Sequence, residues 1–217
     1  MKQPLIKVLI ADDHTIFREG LKQVLSETAD IVVVGEAETA AGAVNIARRT
    51  PADVMTLDIS MPDRSGIEAL KQIKKEQPDL TVIMLSMHRE DQYAIRALKA
   101  GASGYLTKQS ASAELVLAIR TVVEGKKYLS ATVAEALANQ LGTDAEKPLH
   151  EMLSDREFQT LIMIASGLSV GDIAAKLNLS VKTVSVYRAR VLEKLHLRHN
   201  AELTHYAIRN HLVDQLF

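Results

Sequence analysis

Two rhythms of apolar residues alternate along the first 125 positions of the chain. One is short and β-rich: LIKVLIA, IVVVGEA, ADVMTL, TVIMLS and SGYLT. The other repeats every three or four residues, as in IFREGLKQVLSE and YAIRALKAG, where Gly101 stands as a C-terminal stop. This alternation predicts an α/β domain, a parallel sheet of five strands with helices on both faces. The runs at 6–11, 54–57 and 82–85 are almost wholly apolar, so they are expected at the centre of the sheet, buried on both sides. Residues 126–152 break the pattern with one helical stretch and then the polar segment GTDAEKP. They predict a linker helix and a joint, with the boundary near 142–150. From Leu153 only the helical period remains. SDRE reads as a capping box, with Ser154 as cap and Glu157 three residues later, and Ser180 is placed to cap another helix. Helices are expected at roughly 155–166, 170–177, 181–195 and 201–211, separated first at Gly167. The domains are therefore 1–125, a linker at 126–149, and a compact all-α domain at 150–217.

Composition removes several chemistries. The chain has no cysteine, which excludes disulfides, thiolate metal sites and thiol catalysis, and fits a reducing compartment. The N-terminal MKQPLIKVLIADDH ends its short apolar run in two acids and does not read as a signal peptide. No stretch approaches the ~18 apolar residues of a membrane span. A cytoplasmic protein without a membrane partner is expected. The net charge of −1 says little about partners, so charge has to be read by segment.

VMTLDISMP, residues 54–62, ends an apolar strand on one carboxylate, Asp58. In an open parallel sheet, ligands bind at the carboxyl ends of the strands. The polar residues there are Asp12 and Asp13 after the first strand, Asp58 after the third, Ser86 after the fourth and Lys108 after the fifth. The first and third strands should be neighbours where the winding reverses, bringing three carboxylates together. Such a cluster calls for a cation, and an oxygen-liganded ion such as Mg²⁺ would satisfy it. Ser86 and Lys108 add a hydroxyl and a positive charge suited to a phosphoryl group on Asp58. Each residue also has an ordinary reading. Asp12 and Asp13 could cap the helix that begins near Thr15, Ser86 could be a turn residue, and Lys108 could be a solvated lysine. It is their arrival at one sheet edge that favours a site.

The motifs ADDH, LDISMPDRSGIE, MLSMH and KAGASGYLTK, taken together over residues 5–125, resemble the receiver domain of bacterial response regulators of the NarL/LuxR family. The resemblance implies a flavodoxin-like doubly wound fold in which Asp58 accepts phosphate from a sensor histidine kinase. It implies that Asp12, Asp13 and the backbone carbonyl of Ser60 join Asp58 in holding Mg²⁺. Ser86 and Lys108 would bind the phosphoryl group, and Tyr105 would be the aromatic switch. Two positions depart from the family pattern. Gln109 follows the lysine where proline is frequent, and Met87 follows Ser86 where a small residue is common and is expected to slow access of small phosphodonors.

In the helical domain, SVGDIAAKLNLSVKTVSVYRARVLEKL joins a short helix to a longer one through a tight LNLS joint, the spacing of a helix-turn-helix. On the second helix Val184, Tyr187, Val191 and Leu195 share one face and are expected in the core. Lys182, Ser185, Val186, Ala189, Arg190 and Glu193 point away from it. Four bases (Lys182, Arg188, Arg190, Lys194) against one acid (Glu193) give this helix a formal charge of +3, within a domain of 8 bases and 7 acids. SDRE, GDIAAKLNLSVKTV and EKL resemble the LuxR-type DNA-binding domain over 153–213. VSVYRAR with AELTHYAIRNHL resembles a subgroup of global regulators that includes the Gac-type regulators. The resemblance implies that Ser185, Val186 and Ala189 face the major groove. Lys182, Thr183, Arg190, Lys194 and the hydroxyl of Tyr187 would hold phosphates of double-stranded DNA. Five of the seven histidines lie in 150–217 without ligand spacing and are expected at the surface or in a dimer interface. The expected function is a transcription factor switched by phosphorylation and acting as a homodimer. An Asp-nucleophile phosphohydrolase is the alternative class, but Ser60 stands where such an enzyme carries its general acid. A third class, a phosphate-independent DNA binder with the receiver as scaffold, leaves the acidic set without a role.

Overall fold

The computed structural model describes residues 5–87, 91–141 and 148–213. It divides into two compact units, Met1–Gly142 and Thr143–Phe217. The polar joint expected at 142–148 falls, but for Pro148, outside the described residues.

The first unit alternates strand and helix as the apolar rhythm requires. Its strands are β1 (Ile6–Ala11), β2 (Ile31–Ala37), β3 (Val54–Asp58), β4 (Thr81–Ser86) and β5 (Gly104–Thr107). Its helices are α1 (Thr15–Ser26), α2 (Ala40–Arg49), α3 (Gly66–Glu76), α4 (Asp91–Lys99), α5 (Lys108–Val123) and α6 (Ala131–Leu141). The sheet order is β2-β1-β3-β4-β5 and every described pairing is parallel. The winding therefore reverses between β1 and β3, and the crevice that the reversal opens lies between their carboxyl ends. The strands expected at the centre are buried throughout β3 and over Val8–Ala11 and Val82–Ser86. Val8, Ile10, Ile83, Leu85 and Leu106 pack against Leu115, Ala118, Ile119 and Val122 of α5.

The chain after α5 is drawn onto the sheet. Tyr128 forms a parallel bridge with Gly104; its N–H donates to Ser103 O (3.0 Å) and its carbonyl accepts from Tyr105 N (3.1 Å). Its hydroxyl bonds Glu114 at 3.1 Å. Helix α6 then packs on α4, with Val133 buried.

The second unit is helical: a single 3-10 turn (Leu149–Met152), then α7 (Asp155–Ala165), α8 (Val170–Lys176), α9 (Val181–Lys194) and α10 (Asn200–Arg209). Both halves of the Ser154–Glu157 capping box form, and a second box, Ser169 with Asp172, starts α8. All four helices stop at a left-handed residue: Gly167, Asn178, His196 and His211. After each, the next N–H bonds back into the last turn, for example Leu179 N to Ala174 O and Leu197 N to Leu192 O, both 2.8 Å. The core holds Phe158, Leu161, Ile173, Val184, Val191, Leu203 and Ala207. His150 corrects the expectation of surface histidines. It is buried beside Phe158, and Nδ1 lies 3.1 Å from the Tyr206 hydroxyl. A ring in that position fills core volume and meets the half-buried Tyr206 hydroxyl, so it is withdrawn from solvent.

Candidate functional site

Register delivers the acids. Ala11 pairs with Leu57, so the next residues, Asp12 and Asp58, leave the sheet side by side. On the other flank Asp58 pairs with Leu85 and Ser86 pairs with Thr107, which brings Ser86 and Lys108 to the same edge. Lys108 Nζ lies 2.6 Å from Asp12 Oδ2 and 3.0 Å from Asp58 Oδ2, with all three residues buried. The ammonium also sits 4.9 Å from the centre of the Phe17 ring. One lysine thus offsets part of a charge to which three carboxylates contribute. Asp58 Oδ1 is buried with no hydrogen-bond partner among the described residues. One ligand atom each from Asp12, Asp13, His14 and Asp58 lies within 4.8 Å of the others. A buried unpaired carboxylate oxygen is costly, and a divalent cation among these groups removes the cost. The residues present fit such an ion.

The surroundings hold the acids in place. Arg18 of α1 donates to the backbone carbonyl of Asp12 at 2.7 Å and pairs with Glu38. Asp63, in the loop after β3, accepts from Ala40 N and Ala41 N at the start of α2 (2.8 and 2.9 Å), tying that loop down. Gly66 passes directly over the strand end: a Cβ there would lie 1.9 Å from the Asp58 carbonyl oxygen. Tyr105 is buried on β5 opposite Met84, two residues before Ser86. The Met87 side chain is 63% exposed, turned to solvent. The Lys108–Gln109 bond is trans, as is every described bond.

Burial pushes the Asp58 carboxyl up to about 6, helped by the negative charge of Asp12 and opposed by Lys108 and the Ser60 N–H. Its proton is held more tightly folded than unfolded, from an ordinary value of 3.8. The ionised group therefore destabilises the fold fully above pH 6 or so and not at all below about 4. In metal-free buffer at pH 8, Asp58→Asn should stabilise the first unit by on the order of 2 kcal/mol. Thermal melts from pH 8 to pH 4 should show that gain shrinking to zero. A destabilised asparagine variant at pH 8 would contradict it.

Sequence reasoning passed over His14, although ADDH was part of the motif. Its Nδ1 lies 2.8 Å from Asp13 Oδ1 and 3.2 Å from Asp12 Oδ1.

The second unit carries the other candidate surface. Helices α8 and α9 meet through a turn at Asn178 (φ 53°), a conformation asparagine tolerates better than most residues. Ser180 caps α9 through Thr183 N at 3.0 Å. Val184, Val191 and Leu195 are buried and Tyr187 is half-buried, while Lys182, Ser185, Val186, Ala189, Arg190 and Glu193 are all exposed. Two of the bases have partners inside the unit. Arg188 bonds Asn200, and Lys194 pairs with Glu157 of the capping box at 2.6 Å.

Comparison with known proteins assigns a family to each unit. Residues 8–120 match the response regulator receiver domain and residues 151–207 match the bacterial regulatory proteins of the luxR family. The chain is 40% identical over 211 residues to the response regulator UvrY of Escherichia coli K12, covering 97% of each chain. It is 37% identical to the response regulator GacA of Pseudomonas aeruginosa, over 97% of this chain and 99% of that one. Among solved structures it resembles RcsB of Salmonella enterica serovar Typhimurium, bound to a promoter in the presence of the phosphomimetic BeF3−. That likeness has a TM-score of 0.62 at 30% identity, over 94% of this chain and 98% of that one. No described helix is long and apolar enough to cross a membrane. The chain belongs to the two-component response regulators of the LuxR family, DNA-binding transcription regulators and not enzymes, with a receiver domain followed by a LuxR-type helical domain.

Proposed function

We propose that Asp58 is the phosphoacceptor of this regulator and that its phosphorylation controls DNA binding by α9. The observation that carries the reading is the pairing of Lys108 with both Asp12 and Asp58 while Asp58 Oδ1 stays unpartnered. Lys108 holds one carboxylate oxygen, and the other is left unpaired in the site. An oxygen of Asp58 attacks the phosphorus of a phosphohistidine on a sensor kinase; the P–N bond breaks and the imidazole leaves. Asp12, Asp13, Asp58 and the Ser60 carbonyl would hold Mg²⁺, which supplies charge neutralisation at the transferred phosphoryl group. Lys108 and Ser86 then bind phosphoryl oxygens, and Ser86 draws on Tyr105 two positions along the sheet register. The added charge biases the receiver toward a second state. In that state the protein dimerises in the cytoplasm and reads paired half-sites of double-stranded DNA. Lys182, Thr183, Arg190 and the Tyr187 hydroxyl contact phosphates, while Ser185, Val186 and Ala189 face the bases. Lys194 joins them only by leaving Glu157.

The test is labelling with acetyl phosphate or a phosphorylated kinase domain, with and without Mg²⁺. One acid-stable, base-labile phosphate is expected per chain, and none in Asp58→Ala. Equal labelling of the variant would move the acceptor elsewhere. Sedimentation of labelled and unlabelled protein should show tighter self-association after labelling; identical association constants would remove dimerisation from the switch.

A further inference from the structure

We infer that His14 is a nitrogen ligand of the acidic site, which therefore takes borderline divalent ions such as Ni²⁺ as well as Mg²⁺. The inference deepens the receiver reading and rests on it. His14 stands at the N-cap of α1, yet its ring makes no capping bond. The ring instead turns to the acids, with Nδ1 2.8 Å from Asp13 Oδ1, 3.2 Å from Asp12 Oδ1 and 3.4 Å from Lys108 Nζ. Those neighbours make opposite demands. A proton on Nδ1 suits the carboxylates and opposes the ammonium; a lone pair there suits the ammonium and opposes the carboxylates. A divalent cation ends the conflict, because it takes the lone pair and the carboxylates together.

An independent observation points to the same centre: Asp58 Oδ1, buried and without a partner among the described residues. The geometry is of the right size. The four ligand atoms lie within 4.8 Å of one another. Ligands about 2.1 Å from one ion stand roughly 3 Å apart when adjacent and about 4.2 Å apart when opposite. The chemistry then sets the preference. Mg²⁺ favours oxygen and keeps its waters, so it gains little from an imidazole. Affinity for a nitrogen donor rises from Mn²⁺ through Co²⁺ to Ni²⁺. His14 has a 57% exposed side chain, so it closes the solvent side of the site while Asp12 and Asp58 close the protein side. An exposed histidine beside two acids is also what a plain surface ion pair looks like, and the two readings differ in what the ring does to each metal.

The experiment is calorimetric titration of the full, untagged chain with MgCl2 and with NiCl2, for the parent, His14→Ala and His14→Phe. Asp12→Asn/Asp13→Asn serves to subtract binding at the other histidines. Loss of a direct ligand should cost at least the roughly tenfold that loss of an outer partner costs. Both His14 variants should therefore bind Ni²⁺ about tenfold more weakly or worse, with Mg²⁺ affinity within about twofold of the parent. Pulsed electron paramagnetic resonance on the Mn²⁺-loaded chain should show ¹⁴N coupling in the parent and none in the variants. Equal changes for the two metals, or a parent Mn²⁺ spectrum without nitrogen coupling, would overturn the inference and leave an oxygen-only site. A parent that binds neither metal would instead overturn the receiver reading itself.

Discussion

Gly66→Ala is expected to lower the stability of the receiver by about 3 kcal/mol and to slow phosphorylation of Asp58 by about a hundredfold. The added Cβ would sit 1.9 Å from the Asp58 carbonyl oxygen, 2.8 Å from its carbonyl carbon and 3.0 Å from Ile59 Cα. All three are backbone atoms, so no side chain is free to swing aside. The strand end or the start of α3 has to move, and Gly66 N is itself bonded to Ile59 O at 2.9 Å, which couples the two. The displacement falls on Asp58, the proposed phosphoacceptor. The melting temperature should drop by on the order of 10 °C. Gly20→Ala gives the opposite sign, because that glycine lies within α1 with nothing within 4 Å of a new Cβ. It should raise stability by about 0.5–1 kcal/mol through helix propensity and leave labelling unchanged. Normal labelling of a stable Gly66→Ala protein would mean that α3 yields without disturbing Asp58.

The second large effect is expected on α9, where substitutions should separate affinity from preference. Arg190 is exposed and, among the described residues, has no ion-pair partner, so its charge is available to a phosphate. Arg190→Ala should weaken cognate and random duplexes by similar factors. It should also lower the slope of log affinity against log salt by about 1, since each phosphate contact contributes about 0.9 on duplex DNA. Val186 is 43% exposed on the same face and carries no charge. Val186→Lys or Ala189→Lys should change which sequence is preferred, by about 1–3 kcal/mol per base pair contacted. Salt titrations of each variant on both duplexes measure the two effects. An unchanged slope for Arg190→Ala, or equal scaling of both affinities by Val186→Lys, would mean that another face of α9 meets the DNA.

The chain announced its strands and its acids because these follow local rules. Buried parallel strands have to be apolar, and a lone carboxylate at the end of such a run is easy to see. Asp58 and Asp12 were legible for that reason, and register then brought both within 3.0 Å of the Lys108 ammonium. His14 was not, because a histidine after two acids reads as a helix start until the ring is seen turning away from the helix. His150 was misjudged for a related reason. A histidine in a short polar segment looks exposed, and only the packing of Phe158 and Tyr206 around it removes it from solvent. The Ser154 capping box was legible, whereas the one at Ser169–Asp172 follows the same spacing and was overlooked. The left-handed stops at His196 and His211 carry only a weak local signal. Histidine enters that conformation more often than most residues but is no dedicated stop, and the bonds from Leu197 to Leu192 and from Leu212 to Ala207 hold it there.

The bridge from Tyr128 to the edge of β5 bears on how the receiver is made. The match to the receiver family ends at residue 120, but the sheet does not. Until residue 128 has left the ribosome, Ser103 O and Tyr105 N lack the backbone bonds that Tyr128 supplies. An edge in that condition pairs readily with another such edge. A nascent or proteolysed chain that stops near residue 125 thus carries a sticky margin which the longer chain seals with its own backbone. The first few residues of the linker thus close part of the open edge of the domain they follow.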